Sequence, residues 1–216
     1  MYSIMMTRCH LIGGRMPTKT FYNVPIDKQN KLIEVGINLF SKYPYEDIDV
    51  KTVVVTAELP RGSFYAYFQD MEDYYNLVIS SLRSERIQNI TSLTNGFTGN
   101  LFDFLIILFK FDITQYSNDR RKLLLTHYFR YLQSKKLGSL EGTIYHSSQE
   151  SGIFPILLSL QINQSNAINI SHESLIEFAM AVYLTTYNYC LNNKLSEIEA
   201  LTMFTERIRI IERGIA

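Results

Sequence analysis

Residues 60–68 decide the fold that we predict for this chain, and they read Pro60, Arg61, Gly62, Ser63, Phe64, Tyr65, Ala66, Tyr67 and Phe68. On a helix, Pro60, Phe64 and Phe68 fall on one side as i, i+4 neighbours. Gly62 and Ala66 fall on the opposite side, where such small side chains let another surface come close to the backbone. We therefore predict a short helix with one face that packs and one face that can be approached.

Groups that bind phosphate flank the two small residues. Arg61, Ser63 and the hydroxyls of Tyr65 and Tyr67 can donate to phosphate oxygens, as can the amides at a helix N-terminus. Pro60 suits the first helical position, because its missing N–H would be unpaired there in any case. An amphipathic helix that only happens to expose two tyrosines is the alternative for this stretch taken alone.

Two further helices are predicted upstream. Asp49 can cap a helix over residues 50–57, although three consecutive valines there also suit a strand. Because no partner strand is evident elsewhere in the sequence, we predict a helix. Residues 26–42 carry a broad apolar stripe that ends before Pro44. Three helices, the last two short and joined by a tight turn, form a helix-turn-helix, whose last helix enters the major groove of DNA.

Residues 31–78 resemble the TetR/AcrR type of bacterial transcriptional repressors. The resemblance rests on an ordered series of positions, which are Ile33, Leu39, Phe40, Tyr45, Asp49, Val53, Ala57, Leu59, Arg61, Gly62, Ser63, Phe64, Tyr65, Tyr67, Phe68 and Glu72. The chain departs from the family pattern at four positions. Val54 stands where the family usually has a small residue, and Glu58 stands where it has glycine. Pro60 replaces the usual serine or threonine, and Met71 replaces the usual lysine. Glu58 must therefore make the turn without glycine's conformational freedom, and Met71 removes an expected phosphate contact.

The resemblance implies an all-α fold, with an N-terminal three-helix helix-turn-helix head and a larger helical body that binds a ligand and forms a dimer. We predict a flexible extension over residues 1–25, the DNA-binding head over 26–80 and the effector-binding and dimerisation body over 81–216. Met16 is an alternative start to Met1. Residues 1–15 contain no apolar run of the length that a signal peptide needs.

The body is predicted to be helical for most of its length. Asp70 can cap a long linking helix that runs towards Leu93. Residues 101–111 are apolar nearly all round but far shorter than the ~20 residues of a membrane span, which indicates a buried helix. Other helices are expected over 119–133, within 138–152, after a cap at Ser171 and after a capping box of Ser196 and Glu199, with a mobile loop over 154–170.

The expected DNA contacts lie on the last two helices of the head, and they are Lys51, Pro60, Arg61, Gly62, Ser63, Tyr65, Ala66 and Tyr67. The cationic and tyrosine side chains would hold phosphates, while Ser63 and Ala66 would face base edges. Because Ala66 can touch a thymine methyl group but cannot hydrogen-bond, sequence preference would depend partly on DNA shape.

Two sets of candidate residues are predicted in the body. An aromatic effector pocket would be lined by Phe104, Phe111, His127, Tyr128 and Tyr131, for which the alternative is ordinary core and surface packing. The last two helices would meet their symmetry copies in a four-helix bundle through Leu175, Phe178, Val182, Thr186, Leu201, Thr205 and Ile208. The alternative is that these helices only close the core of the monomer.

Charge and cysteine content limit the possible functions. The chain carries 21 basic and 21 acidic side chains, and residues 1–86 carry ten of each, so charge gives no support to DNA binding. Cys9 and Cys190 are too few for a disulfide framework and suit a reducing cytoplasm. The histidines lack metal-ligand spacing, and no glycine-rich phosphate loop or catalytic constellation is evident, so we expect neither a cofactor nor an enzyme.

The sequence therefore predicts a cytoplasmic repressor that binds a palindromic double-stranded DNA operator as a homodimer, responds to a small-molecule effector and has no membrane partner. Two alternatives remain open. The first is a helical ligand-binding or interaction protein without DNA binding, which the neutral head and residues Pro60 and Met71 favour. The second is an enzyme with a buried aromatic pocket, which only the apolar helix at 101–111 favours.

Overall fold

The computed structural model describes residues 17–115, 123–124, 126–128, 131, 153–162 and 170–215. Their α-helices are α1 (Lys19–Tyr22), α2 (Ile26–Lys42), α3 (Val50–Ala57), α4 (Arg61–Tyr67), α5 (Met71–Thr94), α6 (Leu101–Gln115), α7 (Phe154–Leu158), α8 (His172–Asn192) and α9 (Glu197–Ile215), and a short 3₁₀ helix spans Tyr45–Asp47. Among the described residues, the β-pairing is limited to one isolated bridge between Asn100 and Gln161. The all-α class predicted from the sequence is confirmed.

The chain forms two compact units. The first unit comprises Met1–Arg86 and Arg120–Ser134, and the second unit comprises Ile87–Asp119 and Lys135–Ala216. The change from one unit to the other therefore falls within α5. The functional boundary predicted at residue 80 also falls within α5, and the division into a head and a body stays a prediction.

Local signals explain where α2 and α3 begin and end. α2 spans the predicted residues, and it ends where Tyr43 adopts an extended conformation before Pro44. α3 begins at the predicted cap, because Asp49 Oδ1 accepts hydrogen bonds from the backbone N–H and the hydroxyl of Thr52 at 2.8 and 2.7 Å. The valine run is thus helical, as predicted.

Aromatic side chains form the core of the first unit. Phe40, Phe64, Phe68 and Tyr74 are all fully buried. The ring centroids of Phe64 and Tyr74 lie 5.9 Å apart, and those of Phe68 and Tyr74 lie 5.2 Å apart. These contacts fix α4 against α5, so the buried side of α4 determines which side faces outward.

Part of the predicted N-terminal extension is folded, which corrects the expectation of a flexible segment over residues 1–25. Lys19–Tyr22 forms α1, and Phe21 is fully buried in the core of the first unit. The apolar ring of Phe21 supplies the burial that holds so short a helix in place. Residues 1–16 lie outside the described residues.

The second unit contains two long helices that begin at predicted caps. Ser171 Oγ accepts from the backbone N–H of Ser174 at 3.1 Å. The backbone N–H of Ser196 donates to Glu199 Oε2 at 2.9 Å, and the Glu199 N–H donates to Ser196 Oγ at 3.3 Å, which completes the capping box. The apolar helix predicted over residues 101–111 is α6 and extends to residue 115.

Two predictions for the middle of the chain have different outcomes. The mobile loop expected over residues 154–170 is wrong for its first five residues, which form α7 with Leu157 buried. Pro155 in the first turn suits a helix start, and burial of Leu157 stabilises the turn. Residues 123–124, 126–128 and 131 are helical, within the helix predicted over 119–133. The short helix predicted within 138–152 lies outside the described residues.

Candidate nucleic-acid interface

Glu58 makes the tight turn between α3 and α4. It adopts a left-handed conformation, with φ 58° and ψ 43°, which is costly for a residue that carries a Cβ. The backbone N–H of Leu59 donates to the carbonyl of Val54 at 2.8 Å and closes the end of α3. Glu58 therefore takes the conformation for which glycine would be the easier residue, as the departure from the family pattern predicted.

α4 has one buried side and one open side. Phe64 and Phe68 are fully buried, with ring centroids 5.1 Å apart. Pro60 is exposed and precedes the first helical residue as the N-cap. It therefore neither packs with the phenylalanines nor takes the first helical position, which corrects both expectations. A Cβ placed on Gly62 would meet no neighbouring atom within 4 Å, so the small-residue side is accessible.

The structure brings the eight predicted DNA contacts onto α3, α4 and the N-cap of α4. The exposed ones are Lys51, Pro60, Arg61, Gly62, Tyr65 and Ala66, and the partly buried ones are Ser63 and Tyr67. The ring of Tyr67 also belongs to the aromatic core, since its centroid lies 6.0 Å from that of Phe21. That packing restricts the directions in which the Tyr67 hydroxyl can reach.

Val55 is a surface residue that was not predicted from the sequence. Val53 and Val54 are buried, whereas Val55 is 68% exposed on α3. A three-residue apolar run on a helix that buries one side must place one member outward, so the pattern did contain the signal. An exposed valine beside α4 is a candidate for apolar contact with a thymine methyl group.

Positive charge on this face is sparse. Lys51 and Arg61 are exposed, but Lys31 on α2 forms an ion pair with Glu58, with Nζ 2.6 Å from Oε2. The hydrogen bond and charge of Lys31 lower the pKa of the Glu58 carboxyl. Hydrogen bonds from Thr52 likewise lower the pKa of the Asp49 carboxyl. A carboxylate is therefore ionised at each end of α3 at neutral pH.

An aromatic cluster joins α5 to Tyr128 and Tyr131 within the first unit. The ring centroids of Tyr45, Tyr75 and Tyr131 lie 4.8 to 5.1 Å apart. The Tyr131 hydroxyl donates to Glu72 Oε1 at 2.8 Å, and His127 Nδ1 lies 2.8 Å from the Phe40 carbonyl oxygen. Burial raises the pKa of all three tyrosines, which therefore keep their protons at neutral pH.

The structure does not bring the five predicted effector residues together in one unit. Phe104 and Phe111 belong to the second unit, where Phe104 is fully buried in the core. His127, Tyr128 and Tyr131 belong to the first unit, and the Tyr128 hydroxyl accepts a hydrogen bond from Arg83 there. The effector site stays a prediction.

The seven predicted dimer residues differ in exposure. Phe178 is 59% exposed, and Val182, Leu201 and Thr205 are partly buried. The buried ones are Leu175, Thr186 and Ile208, which a second copy could not touch without repacking the protomer. Ile198 and Ile210 on α9, which are not among the seven predicted contacts, are 79% and 70% exposed. The interface itself stays a prediction.

Among the described residues, no group of three or more His, Cys, Asp or Glu side chains could hold a metal ion. Cys190 is a free, buried thiol. None of the helices in the ranges given above is both long and apolar enough to cross a membrane.

Comparisons with known proteins concern the fold. No protein-family model and no curated protein sequence matches the chain. The reduced form of E. coli NemR is 18% identical, with a TM-score of 0.50 over 88% of this chain and 98% of that one. A TetR family transcriptional regulator from Chloroflexus aurantiacus J-10-FL is 20% identical, with a TM-score of 0.49 over 93% and 99% of the two chains.

A TetR transcriptional regulator from Rhodococcus sp. RHA1 is 13% identical, with a TM-score of 0.48 over 88% of this chain and 99% of its own. The similarity to NemR, with its TM-score of 0.50, shows the all-α fold, and the resemblance of residues 31–78 to TetR-type regulators is confirmed at the level of the fold. Since one fold can carry many functions, the function has to be argued from the α3–α4 face itself.

Proposed function

We propose that the chain is a TetR-type transcriptional regulator that inserts α4 into the major groove of DNA and represses transcription from a palindromic operator. The observation that carries this proposal is the open side of α4, where Gly62 and Ala66 are exposed while Phe64 and Phe68 anchor the opposite side. A helix that is rigidly held on one side and nearly free of bulk on the other can approach base edges closely.

The side chains around the open side of α4 would make two kinds of contact, some with phosphates and some with base edges. Arg61 and Lys51 would hold phosphates on either side of the groove, with Tyr65 as a further donor. Ser63, Ala66 and the exposed Val55 would meet base edges. Because two of these three side chains are apolar, contacts to thymine methyl groups and the shape of the DNA would supply much of the sequence preference.

A second copy of the chain is part of the proposal. One α4 helix reads few base pairs, whereas two helices placed about 34–36 Å apart enter successive major grooves and read a palindrome. Exposed apolar side chains on α8 and α9, including Phe178, Ile198 and Ile210, support a homodimer formed through the second unit.

An effector would change the distance between the two α4 helices of the dimer. A small molecule that binds more tightly to a conformation with different helix spacing withdraws protein from the DNA-competent state. To change a 99:1 population into its reverse, the effector must prefer the second conformation by about 10⁴-fold. The aromatic character of the second unit, including Phe104 and Phe109, suits an apolar or planar compound.

Selection of duplexes from a random-sequence pool at physiological salt tests the proposal. We expect the purified chain to enrich a palindrome, and the experiment should be run with protein that begins at Met1 and with protein that begins at Met16. Failure of both forms to enrich any duplex would contradict the proposal. It would favour the alternative of a helical ligand-binding protein, which the pairing of Lys31 with Glu58 and the neutral charge of residues 1–86 support.

The role of Arg61 can be measured separately on the selected duplex. Replacing one phosphate-binding cation reduces the slope of log K against log salt concentration by about 0.9. A homodimer carries Arg61 twice, so we expect Arg61→Ala to reduce the slope on the selected palindrome by about 1.8. Lys110→Ala, which removes an exposed cation on α6 of the second unit, should leave the slope unchanged. Equal slopes for wild type and Arg61→Ala would remove Arg61 from the phosphate contacts.

A further inference from the structure

α4 is too short to hold its own geometry. It has seven residues, whereas isolated helices of fewer than about 12 residues are marginal in water. Its buried side is fixed by Phe64 and Phe68, but its open side must stay empty if it is to meet DNA. The remaining support has to come from the ends of the helix.

The C-terminal end of α4 is held by the segment that precedes α1. The last four carbonyls of a helix have no partner within the helix. The Phe68 N–H donates to the Phe64 carbonyl at 2.8 Å. Thr18 supplies two more donors, because its hydroxyl lies 2.6 Å from the Ala66 carbonyl and its N–H lies 2.8 Å from the Tyr67 carbonyl. Three of the four carbonyls are thereby satisfied.

Thr18 is itself held in place by the next turn of the chain. Phe21 is fully buried, with its ring centroid 5.3 Å from that of Phe68, and its N–H donates to the Thr18 carbonyl at 3.0 Å. The hydroxyl of Thr18 is therefore aimed at Ala66 by a packed aromatic ring three residues away, rather than by a flexible tail.

From these contacts we infer that Thr18 is a positioning residue for DNA reading, because it fixes the backbone of Ala66 at the end of α4. The inference rests on the proposed function. Ala66 has only a methyl group, so the place of its side chain follows the place of its backbone. Donors on the Ala66 and Tyr67 carbonyls also reduce the partial negative charge at the helix C-terminus, which would otherwise face DNA phosphates.

The Thr18–Ala66 hydrogen bond is exposed, so its loss should barely change global stability but should loosen the end of α4. Thr18→Val removes the hydroxyl and keeps the branched shape, Thr18→Ser restores a hydroxyl, and Thr20→Val makes the same change at an exposed position on α1. We expect Thr18→Val to bind each half of the duplex selected by the wild type about fivefold to tenfold more weakly, because ordering the loosened end of α4 has a cost about the size of one hydrogen bond.

The measurement that separates positioning from general structural support is the ratio of affinities for the selected duplex and for a random-sequence duplex. We expect Thr18→Val to lower that ratio, Thr18→Ser to restore it and Thr20→Val to leave it unchanged. Amide hydrogen exchange over residues 61–68 should be faster in Thr18→Val alone. A ratio equal to that of the wild type, or an equal loss on both duplexes, would overturn the inference and leave the proposed function standing. If the wild type retains no duplex, both fail.

Discussion

Gly36 and Gly62 are both helical glycines, but their surroundings are opposite. A Cβ on Gly36 would lie 2.3 Å from Val78 Cγ2 and 3.0 Å from the Tyr74 hydroxyl oxygen, whereas a Cβ on Gly62 would lie in open space. The Tyr74 hydroxyl also donates to the Leu32 carbonyl at 2.7 Å, so it cannot move away without losing a buried hydrogen bond. Gly36 thus lets α2 approach α5, and Gly62 leaves room for a partner outside the protomer.

This contrast gives opposite expectations for the same substitution. We expect Gly36→Ala to lower the free energy of unfolding by about 1–3 kcal/mol, because the core must shift to accept the methyl group. Gly62→Ala should raise it by up to about 1 kcal/mol, since alanine favours a helix. Chemical denaturation of the two variants measures both effects.

On the DNA side, Gly62→Ala should weaken binding to each half of the selected duplex by about tenfold, the size of one lost base-pair contact. A methyl group there would hold the backbone of α4 away from the groove. Unchanged DNA affinity in a stabilised Gly62→Ala protein would show that close approach at this position is not needed.

Helices whose ends depend on neighbours in sequence could be predicted. α2 and α3 have the predicted bounds, because Pro44 and Asp49 act within three or four residues of themselves, and the Ser171 cap acts over the same range. The sequence did not indicate the hydrogen bond from Thr18 to Ala66, which joins residues 48 apart. It arises only once Phe21 has been buried.

The candidate site was predictable to a similar extent. The α4 stretch contains two phenylalanines and two small residues at helical spacing. In the structure the phenylalanines are buried and the small residues are exposed, as predicted. Exposure within the second unit was harder to predict, because the stripe on α8 is wide. Which members of a wide stripe are covered depends on how neighbouring helices cross it, and so Leu175 is buried while Phe178 is exposed.

Tyr75 on α5 should make the free energy of unfolding depend on pH in the alkaline range. Burial, followed by the charges of Tyr128 and Tyr131, raises the pKa of Tyr75 well above its ordinary value of 10.0. Below pH 10 the phenol is protonated in both the folded and the unfolded state and contributes no pH dependence. Above pH 10 the unfolded chain loses this proton while the folded chain keeps it, so stability falls by about 1.4 kcal/mol per pH unit for this group.

Tyr75→Phe tests this linkage. The Tyr75 hydroxyl is buried without a hydrogen-bond partner in the described part of the chain, so its removal should leave stability at pH 7 unchanged or raise it by about 1 kcal/mol. Between about pH 10 and 11 we expect the variant to lose less stability than the wild type, by about 1 kcal/mol, because the unfolded phenol is only half ionised at pH 10. Parallel pH profiles from denaturant titrations would contradict this assignment.

At the scale of the whole molecule, a net charge of zero sets the kind of DNA binding to expect. Long-range attraction adds little when 21 basic side chains are balanced by 21 acidic ones. Affinity then depends on a few specific contacts between the protein and DNA, which each of the two copies makes once. Two copies held at a fixed spacing present those contacts together, so the second site binds at a high effective concentration. The dimer is therefore the feature on which useful affinity would depend.

The dimer can be tested through exposed apolar side chains of the second unit. We expect wild-type protein to sediment as a dimer at micromolar concentration, and the double variant Phe178→Lys and Ile210→Lys to sediment as a monomer, because each lysine would place an unpaired charge in an apolar contact. Ile107→Lys is the matched control, since Ile107 is 39% exposed on α6, outside the proposed interface, and it should stay dimeric.

The same variants connect assembly to DNA binding. If the dimer supplies the affinity, the monomeric double variant should lose most of its binding to the selected palindrome while Ile107→Lys retains it. A half-site duplex should be bound equally weakly by all three proteins, because one α4 helix makes the same contacts in each. A double variant that stays dimeric would place the interface elsewhere, and a monomer that binds the palindrome as tightly as the wild type would show that pairing of two α4 helices is not the source of affinity.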